Sequence, residues 1–324
     1  MPSIGPERLS RVHVAFAFVA AGLLALPFAD FSLAGHDPWA TLARMAQGFL
    51  APDFGAVDEI GRAVILTVMF AVAGVAAGAA AGFILAPFYA FGPVRAVCIL
   101  VRSVHELFWA LVLMQAIGIG APAGVAAIAL PYAGIFAKVF SEYFEEADQR
   151  PSDALPAGVD ALSRFLYARM PLVTAQMRIY LLYRLECGLR SSAVLGFVGL
   201  PTLGFQLDTF FRNGDYGTAS AILILYVAMI ASVRLWMRWR LAPLWVLASF
   251  AVVAFVPSPP MGEGALWRFL TVDIVPAPLR DGWDMHGLPE WLGTILGDQA
   301  LPGLVTTVIC GQIALVLTGF VALL

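Results

Sequence analysis

"EEADQRPSDALPAGVDALSRFLYARMPLV", from Glu145 to Val173, interrupts an otherwise oily chain, and the fold follows from how it is read. Nine charged side chains, six acidic and three basic, stand between Glu142 and Arg169. The 324 residues are 60% hydrophobic and only 13% charged, with mean hydropathy +0.85. Soluble domains carry about 25% charged residues, so this chain is an integral membrane protein. It is expected to be all-α, because a helix satisfies its own backbone polar groups in lipid. The net charge of -3 does not point to nucleic acid; in a membrane chain the position of charge matters more than its sum.

Apolar runs long enough to cross a bilayer core of about 30 Å lie near 13–33, 63–90, 97–117, 122–140, 176–200, 217–236 and 301–324, with a shorter one at 242–257. About eight transmembrane helices are therefore expected. Arg8 and Arg11, Arg95 and Arg102, Arg150, Arg164 and Arg169, and Arg234, Arg238 and Arg240 fall at alternate ends of these runs. An N-terminus in the cytoplasm puts every arginine cluster there, and the segment 145–173 becomes a cytoplasmic loop. The first run follows two arginines as a signal peptide would, but it has no small-x-small cleavage site and is expected to stay as an uncleaved helix.

Cys98, Cys187 and Cys310 are isolated in or beside apolar runs and read as packing residues. His13, His36 and His286 flank apolar runs or lie in loops, which leaves His105 as the histidine inside apolar sequence. No metal or catalytic constellation is present in the pattern. Gly74, Gly78 and Gly82, four apart in "AVAGVAAGAAAG", predict close approach of two helix backbones.

The chain also begins to repeat itself. "RAVILTVMFAVAGVAAGAAAGFILA" from Arg62 is echoed by "GLVTTVICGQIALVLTGFVALL" from Gly303, with Thr67-Val68 matching Thr307-Val308 and Gly74 matching Ala314. Arg8 to Asp30 is echoed by "RWRLAPLWVLASFAVVAFVPSPP", and Trp39 by Trp267. The second copy reaches Leu324 within a membrane helix, so a truncated or split tandem fusion is the expected organisation.

Within the loop, Ser152 and Asp153 supply helix-start chemistry, Gly158 breaks the helix, and Leu162, Phe165, Leu166 and Arg169 recur at helical spacing up to Pro171. Two short helices meeting at a glycine can seat in a groove on a soluble partner. This stretch resembles the EAA loop of type I ABC importer permeases. Asp153-Ala154-Leu155 stands for the acidic-small-small start, Gly158 for the glycine and Met170-Pro171 for Leu-Pro; the interval from Asp153 to Gly158 is one residue short and contains Pro156. The flanks Arg102 to Leu130, Lys138 to Pro151 and Tyr183 to Gly204 resemble phosphonate-uptake permeases, and the likeness extends over about 60–237.

The resemblance implies a type I ABC importer transmembrane fold. It divides the chain into an N-terminal helix and periplasmic segment (1–60), a permease core with the loop at 145–171 (61–240) and the start of a second copy (241–324). It implies a multi-pass protein of the bacterial inner membrane that carries phosphonate or a related phosphorus oxyanion. Its implied partners are a cytoplasmic ABC ATPase dimer that grips the loop, a periplasmic substrate-binding protein and a second permease subunit or half. ATP and Mg would sit on the ATPase, since this chain has no GxxxxGK[ST] loop of its own and is not expected to be an enzyme or to bind a cofactor.

Arg102, His105 and Glu106 open the third apolar run, and Arg184, Glu186 and Arg190 lie within the fifth. Charges at such depth face the bundle interior or a water-filled path. Glu186 and Arg190 have the favourable i,i+4 order. Arg190, with Ser191 and Ser192, is read either as part of an anion path, since guanidinium suits phosphonate oxygens, or as an ion-pair lock with Glu106. A proton-coupled secondary transporter using Glu106, His105 and Arg190 is the alternative class. Gly196, Gly199 and Gly204 predict a kink or re-entrant turn.

Overall fold

The computed structural model describes residues 11–28, 37–55, 60–148, 150–156, 158–197, 199–258, 264–280 and 282–323, and among them there are helices and no strand. Arg8, Asp30, His36 and Leu324 lie outside the described residues. Two compact units are present, Trp39–Phe269 and the pair Met1–Pro38 with Leu270–Leu324.

The larger unit holds α2 (Pro38–Leu50), α3 (Ile60–Leu85), α4 (Gly92–Ser103), α5 (Glu106–Ile117), α6 (Ala121–Glu146), α7 (Arg150–Asp153), α8 (Ala161–Arg164), α9 (Met170–Phe197), α10 (Leu203–Arg212), α11 (Tyr216–Ala231), α12 (Val233–Trp236), α13 (Ala242–Ala254) and α14 (Ala265–Arg268). The smaller one holds α1 (Arg11–Ala25), α15 (Ala277–Arg280), α16 (Gly287–Thr294) and α17 (Leu301–Leu323).

At the centre of the larger unit α3 packs along α6, with α9 and α13 on its other sides. The expected glycine stripe makes this possible. A Cβ at Gly74 would meet Ile128 Cβ at 2.6 Å, one at Gly78 would meet Tyr132 Cβ at 2.8 Å, and one at Gly82 would meet Phe136 Cβ at 2.4 Å. Small residues on one helix thus receive large ones on the other at the same four-residue spacing, the packing that lipid favours because apolar side chains gain nothing by leaving it. Thr67 fixes the neighbouring end: its hydroxyl donates to the Ala63 carbonyl (2.7 Å) and accepts the Leu203 N–H (2.9 Å), holding the start of α10. The expected re-entrant turn is formed here. Gly199 takes φ +84°, and α10 folds back so closely on the end of α9 that a Cβ at Gly204 would lie 2.0 Å from the Ala193 carbonyl oxygen.

Two expectations are corrected. The third apolar run is not one continuous helix: α4 and α5 meet at Val104 and His105 with a bend of 99°. Nor does the chain break at Pro171, because α8 passes through a π turn at Phe165–Arg169 straight into α9. The proline causes that turn. It has no N–H to give, and its ring would strike the Tyr167 carbonyl in an α-helix; the wider turn, with the Met170 N–H donating to the Phe165 carbonyl, accommodates both.

Among the described residues, three helices qualify as membrane spans by length and apolarity, Ile60–Phe88, Ala121–Glu146 and Gly287–Val321, or four if the bent pair is counted as one. The eight expected are not all of this kind: α9 carries Arg178, Arg184, Glu186 and Arg190, and α1, α11 and α13 are short.

In the smaller unit α1 packs on α17. The Gln312 amide donates to the Phe18 carbonyl at 3.0 Å.

Replacing Gly82 by Leu is expected to lower thermal stability in detergent by about 1–3 kcal/mol through overpacking. Gly61→Ala, at a position with nothing within 4 Å, leaves the melting temperature in place; equal melting of both variants would contradict the packing described.

Candidate functional site

The bend between α4 and α5 exposes backbone groups that a continuous helix would satisfy, and side chains replace those partners. His105 is the N-cap of α5, its Nδ1 accepting the Leu107 N–H at 3.2 Å. The Trp109 indole N–H reaches back across the bend to the Val101 carbonyl at 3.0 Å. Glu106, in the first turn of α5, faces the positive end of that helix and accepts the Ser191 hydroxyl of α9 through Oε1 at 2.5 Å. The His105 ring stands 3.9 Å from the same oxygen.

Beside this joint lies a cleft of about 540 Å³, lined among others by Arg102, Tyr132, Arg184, Cys187, Arg190 and Ser191. Arg184, Cys187 and Ser191 recur on one face of α9, at i, i+3 and i+7. Arg184 is held by the Tyr180 hydroxyl (2.8 Å from Nε) and stacks over the Tyr180 and Tyr183 rings, 5.1 and 5.5 Å from their centroids. Among the described residues no carboxylate lies within ion-pair distance of Arg102, Arg184 or Arg190. Three guanidiniums therefore face one carboxylate that a hydroxyl already holds. Such a wall binds a compact oxyanion through charge-assisted hydrogen bonds.

The structure brings Arg102, His105, Glu106, Arg184, Arg190 and Ser191 together and leaves Glu186 and Ser192 out. Glu186 accepts from Arg234 at 3.0 Å, so the expected pair with Arg190 is not formed; its side chain lies toward α12. Ser192 is fully buried and bonds back to the Leu189 carbonyl at 2.6 Å, a local satisfaction common for a helical serine. The Glu106–Arg190 lock is also not formed: Glu106 accepts from Ser191, and Arg190 lies outside ion-pair distance of it. The histidine of the supposed proton relay serves as a helix cap. Tyr132, which lines the cleft, was not legible, since an aromatic in an apolar run gives no sign of which face it takes.

The loop is built around caps. Asp148 Oδ1 accepts the Arg150 N–H at 3.0 Å, and the Asp160 carboxylate caps α8 through the Ser163 N–H at 2.9 Å. That bond holds the exposed Asp160 carboxyl below its ordinary value, so the cap is complete above the unfolded carboxylate range and lost as pH falls through the lowered value. An Asp just ahead of an apolar-periodic run is a start signal that the reading of Gly158 as a break had passed over.

Asp153, Ala154 and Gly158 are exposed, Leu155 is half-buried and Ser152 is buried. Leu162 is 65% exposed and Tyr167 80%, with Leu166 between them also exposed. Phe165 does not share their face: it packs edge-on against Phe144 at 4.8 Å between ring centroids and lies near Phe83. The expectation that Leu162 and Phe165 form one outward surface is corrected by this aromatic contact. Pro171 shapes the π turn from within the helix.

No family model matches the chain. It is 32% identical over 239 residues to the phosphite transport system permease protein PtxC of Stutzerimonas stutzeri, an alignment covering 70% of this chain and 86% of that protein. It is 32% identical over 204 residues to the phosphate-import permease protein PhnE of Mycolicibacterium smegmatis, covering 60% of this chain but 38% of that longer one. To the putative phosphite transport system permease protein HtxE of Stutzerimonas stutzeri it is 37% identical over 137 residues, 42% of this chain and 52% of the relative. A helical, multi-pass chain that aligns over nearly all of PtxC belongs to the permease family of phosphite and phosphonate ABC transport systems.

Proposed function

We propose that this permease carries a phosphorus oxyanion of the phosphite or phosphonate class across the bacterial inner membrane, with its N-terminus in the cytoplasm, and that the arginine cleft is part of the path. The observation that carries this reading is the cleft wall itself: Arg102, Arg184 and Arg190 line it with Glu106 as the one carboxylate among them, so the wall is net positive, and the half-buried Arg184 has no carboxylate within ion-pair distance among the described residues, a position where an anion is favoured. A substrate oxyanion supplies that charge transiently, which suits conduction better than a permanent lock would.

ABC permeases as a class work with an ATPase and a binding protein. In this chain the surface offered to the ATPase dimer is the outward row Leu162, Leu166 and Tyr167 on α8 and the π turn, together with the exposed Asp153, Ala154 and Gly158. Exposed apolar rows of this kind on a polar loop serve partner docking. A delivering protein on the opposite side of the membrane would hand substrate to the cleft, and ATP with Mg would be bound on the ATPase.

The second permease half is proposed to begin within this chain. Ala63, Thr67, Ala71, Gly74 and Gly78 are buried in α3, and in the same register α17 has Gly303, Thr307, Gly311, Ala314 and Thr318, all exposed. Thr307 repeats even the back-bond of Thr67, donating to the Gly303 carbonyl at 2.7 Å. A second core's helix would cover this stripe as α6 covers that of α3.

Arg190→Gln is expected to cut ATP-driven uptake of phosphite into proteoliposomes by about ten-fold or more, the loss of one charge-assisted contact, with Arg190→Lys intermediate; wild-type uptake in Arg190→Gln refutes the path. Leu162→Glu should fold normally yet lose co-purification with the ATPase. Gly158→Leu should also fold, since nothing lies within 4 Å of that position, so a loss of coupled uptake there reports on docking alone. Full ATPase coupling in both variants removes the loop from the account.

A further inference from the structure

The opposite face of α9 carries a second cationic cluster that the path does not use. Arg178, Leu182 and Glu186, spaced by four, turn away from the cleft row, and Arg178 and Glu186 meet Trp239 and the α12 residue Arg234. The Arg178 guanidinium lies over the Trp239 ring at 4.7 Å. Arg234 is paired with Glu186, and Arg238 and Arg240 flank Trp239, all three exposed. Among the described residues no acid pairs with Arg178, Arg238 or Arg240.

A groove of about 510 Å³ opens beside them, lined by Tyr143, Ile179, Tyr180, Leu182, Tyr183 and Arg234. Its floor is apolar and aromatic, with Ile179 73% exposed; Arg234 is its basic lining residue, and Arg178 adjoins Ile179 in the chain at one end. On the α6 side stand Glu142, which Lys138 neutralises, and Glu146. Trp236 and Trp245 stack at 5.1 Å nearby. A tryptophan and arginine belt at the end of helices marks the membrane–water boundary, and basic pockets between helices at that level take lipid head groups.

We infer that this groove binds an anionic glycerophospholipid, its phosphate held by Arg178 and Arg240 beside Trp239 and one acyl chain laid along Ile179, Leu182 and Tyr183 toward Arg234. With Arg234 paired to Glu186 and Lys138 to Glu142, the unpaired Arg178, Arg238 and Arg240 outnumber Glu146 and give the charge complementarity, and the apolar floor selects a lipid over a free phosphate. The site is separate from the cleft, so it stands whether or not the transport path has been read correctly.

The test is native mass spectrometry of the full chain in detergent, offered phosphatidylglycerol, phosphatidylethanolamine and phosphatidylcholine with the same acyl chains. The wild type should retain phosphatidylglycerol preferentially, and Arg178→Gln and Arg240→Gln should each reduce that retention by about five-fold without changing phosphatidylcholine. A brominated phosphatidylglycerol should quench a component of fluorescence missing from Trp239→Phe, which keeps the test open if an arginine variant folds poorly. Equal retention of the three lipids, unchanged retention in both arginine variants or absence of Trp239-dependent quenching overturns the proposal. Displacement of the lipid by millimolar phosphite assigns the groove to soluble anions instead, and loss of the preference in the assembled transporter assigns it to a protein partner.

Discussion

The hydrogen bond from the Ser191 hydroxyl to Glu106 ties together the two elements on which the site depends, the start of α5 and the middle of α9. It engages the carboxylate in the cleft on a neutral donor. One carboxylate stands there among three guanidiniums, so the cleft keeps a net positive charge. The contact is made just after the 99° bend, in the first turn of α5. His105 and Trp109 stabilise the bend by supplying the partners that its backbone lacks.

Behind this joint, the glycine stripe of α3 sets α6 at the distance that gives the cleft its back wall. Ile128, Tyr132 and Phe136 stand on Gly74, Gly78 and Gly82, and Tyr132 continues from that packing into the lining of the cleft. The same side chain therefore belongs to the core and to the site. A change in helix packing would move the polar wall with it, and this is a physical route by which movements of the 145–171 loop could reach the cleft, because α9 runs from the π turn of the loop to Ser191 without interruption.

Much of this was legible in the amino-acid order. Composition fixed the solvent, and glycines at intervals of four named the helix face that packs. The ionisable residues of the third and fifth runs pointed to the cleft. What could not be read has specific causes. Hydropathy averages over a window, so the bend at Val104 was invisible inside an apolar run. Pairing was assigned by sequence spacing, whereas Glu186 found Arg234, 48 positions away. Phe165 was placed by helical periodicity, which knows nothing of the Phe144 and Phe83 rings beneath it.

The central claim, a positively charged path at the cleft, can be measured with a native probe. Cys187 lines the cleft, Cys98 is buried and Cys310 is exposed, so a Cys310→Ser protein in membranes leaves Cys187 as the accessible thiol. Its reaction rates with anionic and cationic methanethiosulfonate reagents of equal size report the local field. The account predicts faster reaction with the anionic reagent and loss of that preference in Arg102→Gln/Arg190→Gln. Equal rates, or faster reaction with the cationic reagent in the unchanged cleft, would contradict it.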